Sequence, residues 1–453
     1  MTTPPALSRR RLLSAAGALS TAALLAGCAG TVRDSYAQPG GTVPDRYGRR
    51  TRVVLWSSFA DIPGETLLAL ADAFNQGQRD IYVEVQFQGS YDDTFRKTVV
   101  GRLGGQVPDL VTLSDVTWGK FLIGGALQPW DELARASGLD LGVYNQHLLK
   151  EGLAKDGRNY WIPMARSTPL FYYNRTLFKK AGLPDRAPAT WFEMRDWAKE
   201  FGKVRLGGNR PKMEAYYKQD GDWQFLGSCW QWGGSWSRGL DITLDSPEVA
   251  AAGAWQRRLI YRDRLSYMAT DAGLDFGNQL TASVVNSTGA LGKFATLAKG
   301  SGFRLGTGFV PRGHHFGVPT GGSGFCSFKG VPRERQQAAM EFIKFLARPE
   351  NSAEWTVKTG YLPVVDAAVR TPKLASLMKA DPNFTTSIQQ LARTRNQDLA
   401  RLLVPNANVK VYTGLQKIWS DDADPAKVFR QVADQLRKGM DRVRDSIEQH
   451  VRV

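Results

Sequence analysis

Few residues in this chain stand where catalysis would need them. It has four histidines, His147, His314, His315 and His450, and none shows the spacing of a zinc protease or of a carboxylate–histidine metal site. The adjacent pair His314-His315 reads as a surface loop. Gly321-Gly322-Ser323-Gly324 is glycine-rich but lacks the lysine of a phosphate-hydrolysing loop, and neither a dinucleotide fingerprint nor a nucleophile elbow occurs. Paired carboxylates for glycoside hydrolysis can be distant in sequence, so that chemistry stays open. Cys229 and Cys326 lie in apolar or aromatic settings that suit buried thiols, although an oxidising compartment would let them pair. The inventory favours binding over catalysis, and no cofactor or metal is expected.

Cys28 offers a different chemistry. Leu25-Ala26-Gly27-Cys28 looks like a bacterial lipobox, which implies cleavage before Cys28 and lipid on its sulfur. The apolar run Leu12–Ala26 before it is short of the roughly 20 residues a membrane span needs. Ser8-Arg9-Arg10-Arg11-Leu12-Leu13 resembles a twin-arginine export signal. We therefore expect a signal peptide over 1–27 and a lipidated flexible tether over 28–50, rich in glycine, proline, serine and charge. That arrangement holds the protein at the outer face of the cytoplasmic membrane.

With 453 residues, 42% hydrophobic and 23% charged, the chain has room for two or three ordinary domains. No later stretch is apolar enough to span a bilayer. The formal charge of +16 would suit nucleic acid, but export and the mixing of basic with acidic residues argue against that partner. Attraction to anionic headgroups explains it better.

Val53–Trp56 reads as a first strand, followed by a helix with Leu67, Leu68, Ala71 and Phe74 on one face. Ile81, Val83, Val85 and Phe87 then alternate with polar residues as a strand does. Another helix and the run Leu110–Leu113 complete a β-α-β-α-β opening, which predicts a largely parallel sheet with ligand chemistry at the carboxyl ends of its strands. Trp161–Tyr173 reads as extended, and Thr190 with Glu193 has capping-box spacing. Residues 190–300 read as mainly helical with a tryptophan-dense loop. A final helix over about 424–448 carries Phe429, Val432, Ala433, Leu436, Met440, Val443 and Ile447 in one stripe.

Ala165-Arg166-Ser167-Thr168-Pro169-Leu170-Phe171-Tyr172-Tyr173-Asn174, then Ala181-Gly182-Leu183-Pro184 and a tryptophan-led helix, resembles the extracellular solute-binding proteins of ABC importers. Thr359-Gly360-Tyr361-Leu362-Pro363 is similar to that family too. Three further motifs, Asn286–Gly289, Pro319–Gly322 and Thr394–Arg401, narrow the resemblance to Ugp-type receptors for glycerol-3-phosphate or glycerophosphodiesters. The resemblance implies an α/β, two-lobed periplasmic-binding-protein-like fold with discontinuous lobes, 51–165 plus 314–357 and 166–313 plus 358–453. The ligand would lie in the cleft, which closes about a hinge.

It also implies a site. Arg401 would offer its planar fork of donors to phosphate. Ser167, Ser287 and Tyr361 would add hydroxyls, and Gly322 a closely approaching backbone N–H. Asp115 would accept from glycerol hydroxyls, Tyr91 would lie over the glycerol, and Trp223 would form an aromatic wall, with Asp220 adding charge beside it. Each also has a local use: Asp115 could cap a helix, and Trp223 could be core. The implied partners are a small ligand (a glycerophosphodiester such as glycerophosphocholine, or glycerol-3-phosphate), permease subunits and the membrane through the lipid. Nucleic acid is not among them, and the protein is expected to be a monomer. The rivals are an oligosaccharide receptor on the same fold, an exported hydrolase and an adhesin.

Overall fold

The computed structural model describes residues 35–205, 210–217 and 220–452; the export signal and Cys28 lie outside them. Strand Thr51–Ser57 is buried through Val53, Val54 and Leu55, as a strand covered on both faces must be. It pairs in parallel with Ile81–Phe87 and Leu110–Ser114. Gly321–Cys326 joins antiparallel to Leu110–Ser114, and Ile162–Ser167 completes the five-stranded sheet.

Helix Asp61–Gly77 buries Leu67, Leu70, Ala71 and Phe74 against this sheet, each large side chain contributing about 1.5–3 kcal/mol of burial. Leu68, expected on that face, is 50% exposed; it is one step of about 100° off the i, i+3, i+4, i+7 stripe. Phe87, expected inward, is 56% exposed at the open end of its strand.

The core of this lobe redraws the expected boundary. Val53, Leu55 and Phe325 share one packed cluster with Leu362, Val364, Val365, Ala368, Leu374 and Leu391. Residues 358–391 were expected in the second lobe, but the apolar side chains from Leu362 to Leu374 pack in the first, while helix Pro382–Leu391 touches both, with Leu391 in this cluster and Phe384 against a second-lobe one. Phe316 and Val318 pack in a second-lobe cluster instead. The tether also ends sooner than residue 50. Tyr36 is buried with Val54 and Val107, and its N–H donates to the Gly330 carbonyl at 2.9 Å.

The second lobe carries an antiparallel sheet in the order Ser283–Ser287, Pro169–Asn174, Leu305–Gly308, and a parallel pair, Glu214–Tyr217 with Ser266–Ala269. The region 190–300 is mainly helical as expected, with five α-helices, but it also carries short strands, because strands of four or five residues show too little alternation to read. Trp223 and Trp230 lie on helix Gly221–Gln231, not in a loop. Thr190 caps helix Trp191–Phe201, accepting the Glu193 N–H at 3.0 Å. The expected final helix is two, Pro425–Asp441 and Arg444–His450, yet the whole predicted stripe is buried in one cluster. Cys229 and Cys326 are free and sit in different cores.

The chain passes between lobes at Thr168, at Val318–Thr320 and across 392–398. These passages are tied together. Thr168 Oγ1 donates to the Pro319 carbonyl at 3.0 Å. The Thr320 N–H donates to Arg395 O at 3.1 Å, and the Arg395 N–H to Val318 O at 3.0 Å.

Candidate functional site

Strand Leu110–Ser114 ends at the cleft, and Asp115 opens the next helix, Asp115–Ile123, where a parallel sheet presents its ligands. Asp115 Oδ1 accepts the Val116 N–H at 2.8 Å, and Oδ2 accepts the Gln397 amide. That amide also donates to Thr320 O at 2.7 Å. Arg401 stands one turn beyond Gln397 and donates to its Oε1 through Nη1.

Across the cleft floor, Arg401 Nε and Nη2 both reach Asp222 Oδ2, at 2.9 and 2.8 Å. Nη1 lies 3.9 Å from Asp115 Oδ1. Asp115 comes from the first lobe, Asp222 and Arg401 from the second, and all three are buried. A sheltered charge cluster thus straddles the two lobes. Burial raises the Asp222 carboxyl against the opposing pull of Arg401. Burial, then the charge of Asp222, pushes Asp220 up to about 6, again opposed by Arg401.

The other wall is aromatic. The rings of Tyr91 and Tyr361 both stand about Phe59, at 6.4 and 6.3 Å, and Tyr361 stacks on Trp355 at 5.8 Å. The Tyr91 hydroxyl lies 3.4 Å from Ser323 Oγ. Burial raises both phenols, so at neutral pH they are uncharged hydroxyls. Ser287 Oγ accepts the Gly289 N–H at 3.1 Å, a local turn that leaves its proton to donate. A Cβ on Gly289 would meet the Tyr361 ring at 2.9 Å, so Tyr361 stands against the turn that follows Ser287.

Gly321 pairs with Ser167 and Gly322 with Arg166. Gly322 has φ of 105°, and a Cβ there would stand 1.9 Å from the Ala165 carbonyl oxygen; only glycine fits. Trp223 is buried, its Nε1 donating to Thr320 O at 2.8 Å. Its ring lies on Gly321, where an added Cβ would come within 2.3 Å of it. It braces a crossing segment. Asp220, at the start of the same helix, does not cap it.

Of the residues singled out in sequence, Asp115, Asp220 and Arg401 fall in one charge cluster, Tyr91 and Tyr361 about Phe59, and Ser167, Gly322 and Trp223 along strand Gly321–Cys326; beside them stand Asp222, Gln397, Thr320 and Ser323, which sequence reasoning did not single out as site residues. Gln397 was within reach: it lies in the Thr394–Arg401 motif, just before the helix Leu399–Leu403 that carries Arg401. Among the described residues no group of histidines, cysteines and carboxylates could hold a metal ion.

Two α/β lobes joined by three tied crossings, with buried charged and aromatic side chains where they meet, have the architecture of a two-lobed binding protein. Residues 69–386 match the family of bacterial extracellular solute-binding proteins, and the chain belongs to it. It is the non-catalytic, extracytoplasmic substrate-binding component of an ABC importer, related to UgpB-type proteins. The crystal structure of UgpB from Mycobacterium tuberculosis in complex with glycerophosphocholine is similar with a TM-score of 0.81 and 32% identity, over 87% of this chain and 99% of that one. The sn-glycerol-3-phosphate-binding periplasmic protein UgpB of Salmonella typhimurium is 25% identical over 415 residues, 85% of this chain and 91% of that protein. Maltose-bound MalE3 of T. maritima shares the fold, with a TM-score of 0.73 and 21% identity over 85% of this chain and 99% of that one.

Proposed function

We propose that this protein captures glycerophosphodiesters such as glycerophosphocholine, or sn-glycerol-3-phosphate, and delivers them to the permease subunits of its importer. It does so as a monomer, anchored through lipidated Cys28 to the outer face of the cytoplasmic membrane. The observation that carries the reading is the buried Arg401 fork, held by Asp222 at 2.8 Å in a cleft lined by the hydroxyls of Ser167, Ser287, Tyr91 and Tyr361. A phosphoryl group needs a cation and neutral donors in a dry setting. Asp115 supplies acceptor oxygens for glycerol hydroxyls, and Gly322 a close backbone N–H. Neutral sugars have no use for a buried guanidinium.

Thermal-shift and calorimetric titration with glycerophosphocholine, glycerol-3-phosphate and maltodextrins tests this. The phosphoryl ligands are expected to raise the melting temperature by mass action and maltodextrins to leave it unchanged; the reverse would overturn the reading. Anchoring is tested separately. Cys28→Ser is expected to move the protein from the membrane fraction to the soluble one with ligand affinity intact, and persistent membrane association would exclude the lipid.

A further inference from the structure

The charges about Arg401 do not balance. Asp115, Asp220 and Asp222 all act on the same neighbourhood as Arg401. The nearby Arg166 is matched by Glu151 at 2.5 Å and brings no surplus. Four carboxylates thus face two guanidinium groups before any ligand arrives. A phosphodiester adds one more negative charge and a monoester at neutral pH nearly two. In a sheltered site such charges are weakly screened, so the ligand best matched to this cleft carries its own cation.

The three acids are not equivalent. Asp222 is committed to Arg401 through two hydrogen bonds. Asp115 accepts from Val116 and Gln397. The Asp220 carboxylate accepts no hydrogen bond among the described residues and does not cap its helix, and the residue holds a left-handed φ of 63°, a conformation that non-glycine residues adopt at a cost. It is only partly exposed. Trp223 follows three residues on, in the first turn of the helix that Asp220 precedes, and a carboxylate near an aromatic side chain is a setting for an ammonium group.

Arg401 has five N–H donors. Nε, one N–H of Nη2 and one of Nη1 are given to Asp222 and Gln397. One N–H on each terminal nitrogen is left, enough for one phosphoryl group and no more.

Building on the phosphoryl reading of this cleft, we infer that Asp220 is the counter-charge for an ammonium head group. The site then selects zwitterionic glycerophosphodiesters over those with an uncharged head group and over the monoester.

Calorimetric titration of the full chain and of Asp220→Asn tests the inference, with glycerophosphocholine, glycerophosphoethanolamine, glycerophosphoglycerol and glycerol-3-phosphate as probes. Asparagine tolerates the left-handed conformation, and an unchanged circular dichroism spectrum would verify the fold of the variant. The parent is expected to bind the two zwitterions at least about tenfold more tightly than glycerophosphoglycerol. Asp220→Asn should bring that ratio to within about threefold.

A pH series gives a second readout. Asp220 is faced by Asp222 on its own helix, Arg401 from Leu399–Leu403, Asp115 from Asp115–Ile123, Tyr217 from Glu214–Tyr217, and Tyr361. As its carboxyl ionises near pH 6, zwitterion affinity is expected to rise from pH 5 to 7.5, while that of glycerophosphoglycerol does not. A ratio unaltered in the variant, equal binding of all four probes by the parent, or a flat pH profile would overturn the inference and leave the phosphoryl reading standing. Binding of none of the four would overturn both.

Discussion

At the residue scale, the site depends on how a guanidinium is held as much as on its charge. Asp222 takes Nε and Nη2 of Arg401 and so fixes the plane of the fork, which lysine could not reproduce. Arg401→Ala is expected to cost about 2–5 kcal/mol of phosphoryl-ligand affinity, roughly 30-fold or more, in a calorimetric titration. It should also lower the melting temperature of the unliganded protein, because Asp222 is left as an unpaired buried charge, a loss on the order of 3–5 kcal/mol. An affinity within about threefold of the parent would remove Arg401 from the site. Arg401 was singled out in sequence because it lies in the Thr394–Arg401 motif, and Asp115 because it matches an acidic position of the family; the partner that orients Arg401 was not. Asp222 is 179 positions away in the chain, and only the folding of helix Gly221–Gln231 against Leu399–Leu403 makes the two neighbours. Asp115 and Trp223 also do local work: one accepts the Val116 N–H of its own helix, the other braces Thr320.

At the scale of elements, strand Gly321–Cys326 does the most positioning. It joins the strand that precedes Asp115 to the strand that ends at Ser167, with its register shifting between Ser323 and Gly324. Gly322→Ala places a methyl group against the Ala165 carbonyl at a positive φ; such strain costs on the order of 1–3 kcal/mol. A lower melting temperature and loss of the ligand-induced shift are expected, and a variant that melts and binds as the parent does would show that the close approach is dispensable. Long, strongly patterned elements were legible. The opening β-α-β-α-β run and the stripe from Phe429 to Ile447 are present, although the stripe spans a break at Arg442–Val443 that apolar periodicity does not register. Short elements were not: Glu214–Tyr217 and Ser266–Ala269 bury their residues against neighbours distant in sequence, and four residues carry no usable period.

At the scale of the whole molecule, two lobes were legible from family motifs, while the third boundary was misplaced. Tyr361 stands with Phe59 and Trp355, Leu362 to Leu374 fill the first lobe and Phe384 packs on the second, and nothing in their composition says which core they complete. The same partition gives Cys229 to one lobe and Cys326 to the other. Burial pushes both thiols well above their ordinary range, so neither reacts as a thiolate until its surroundings open. Each lobe therefore carries a clock for its own opening, readable in the soluble Cys28→Ser protein by timed alkylation and peptide mass analysis. Two distinct rates are expected without ligand, both slowed when the cleft is filled, because a molecule bridging the lobes makes the opening of one a loss to the other. A single shared rate would mean that the protein opens only as a unit, and that its two halves are joined in motion as firmly as they are in sequence.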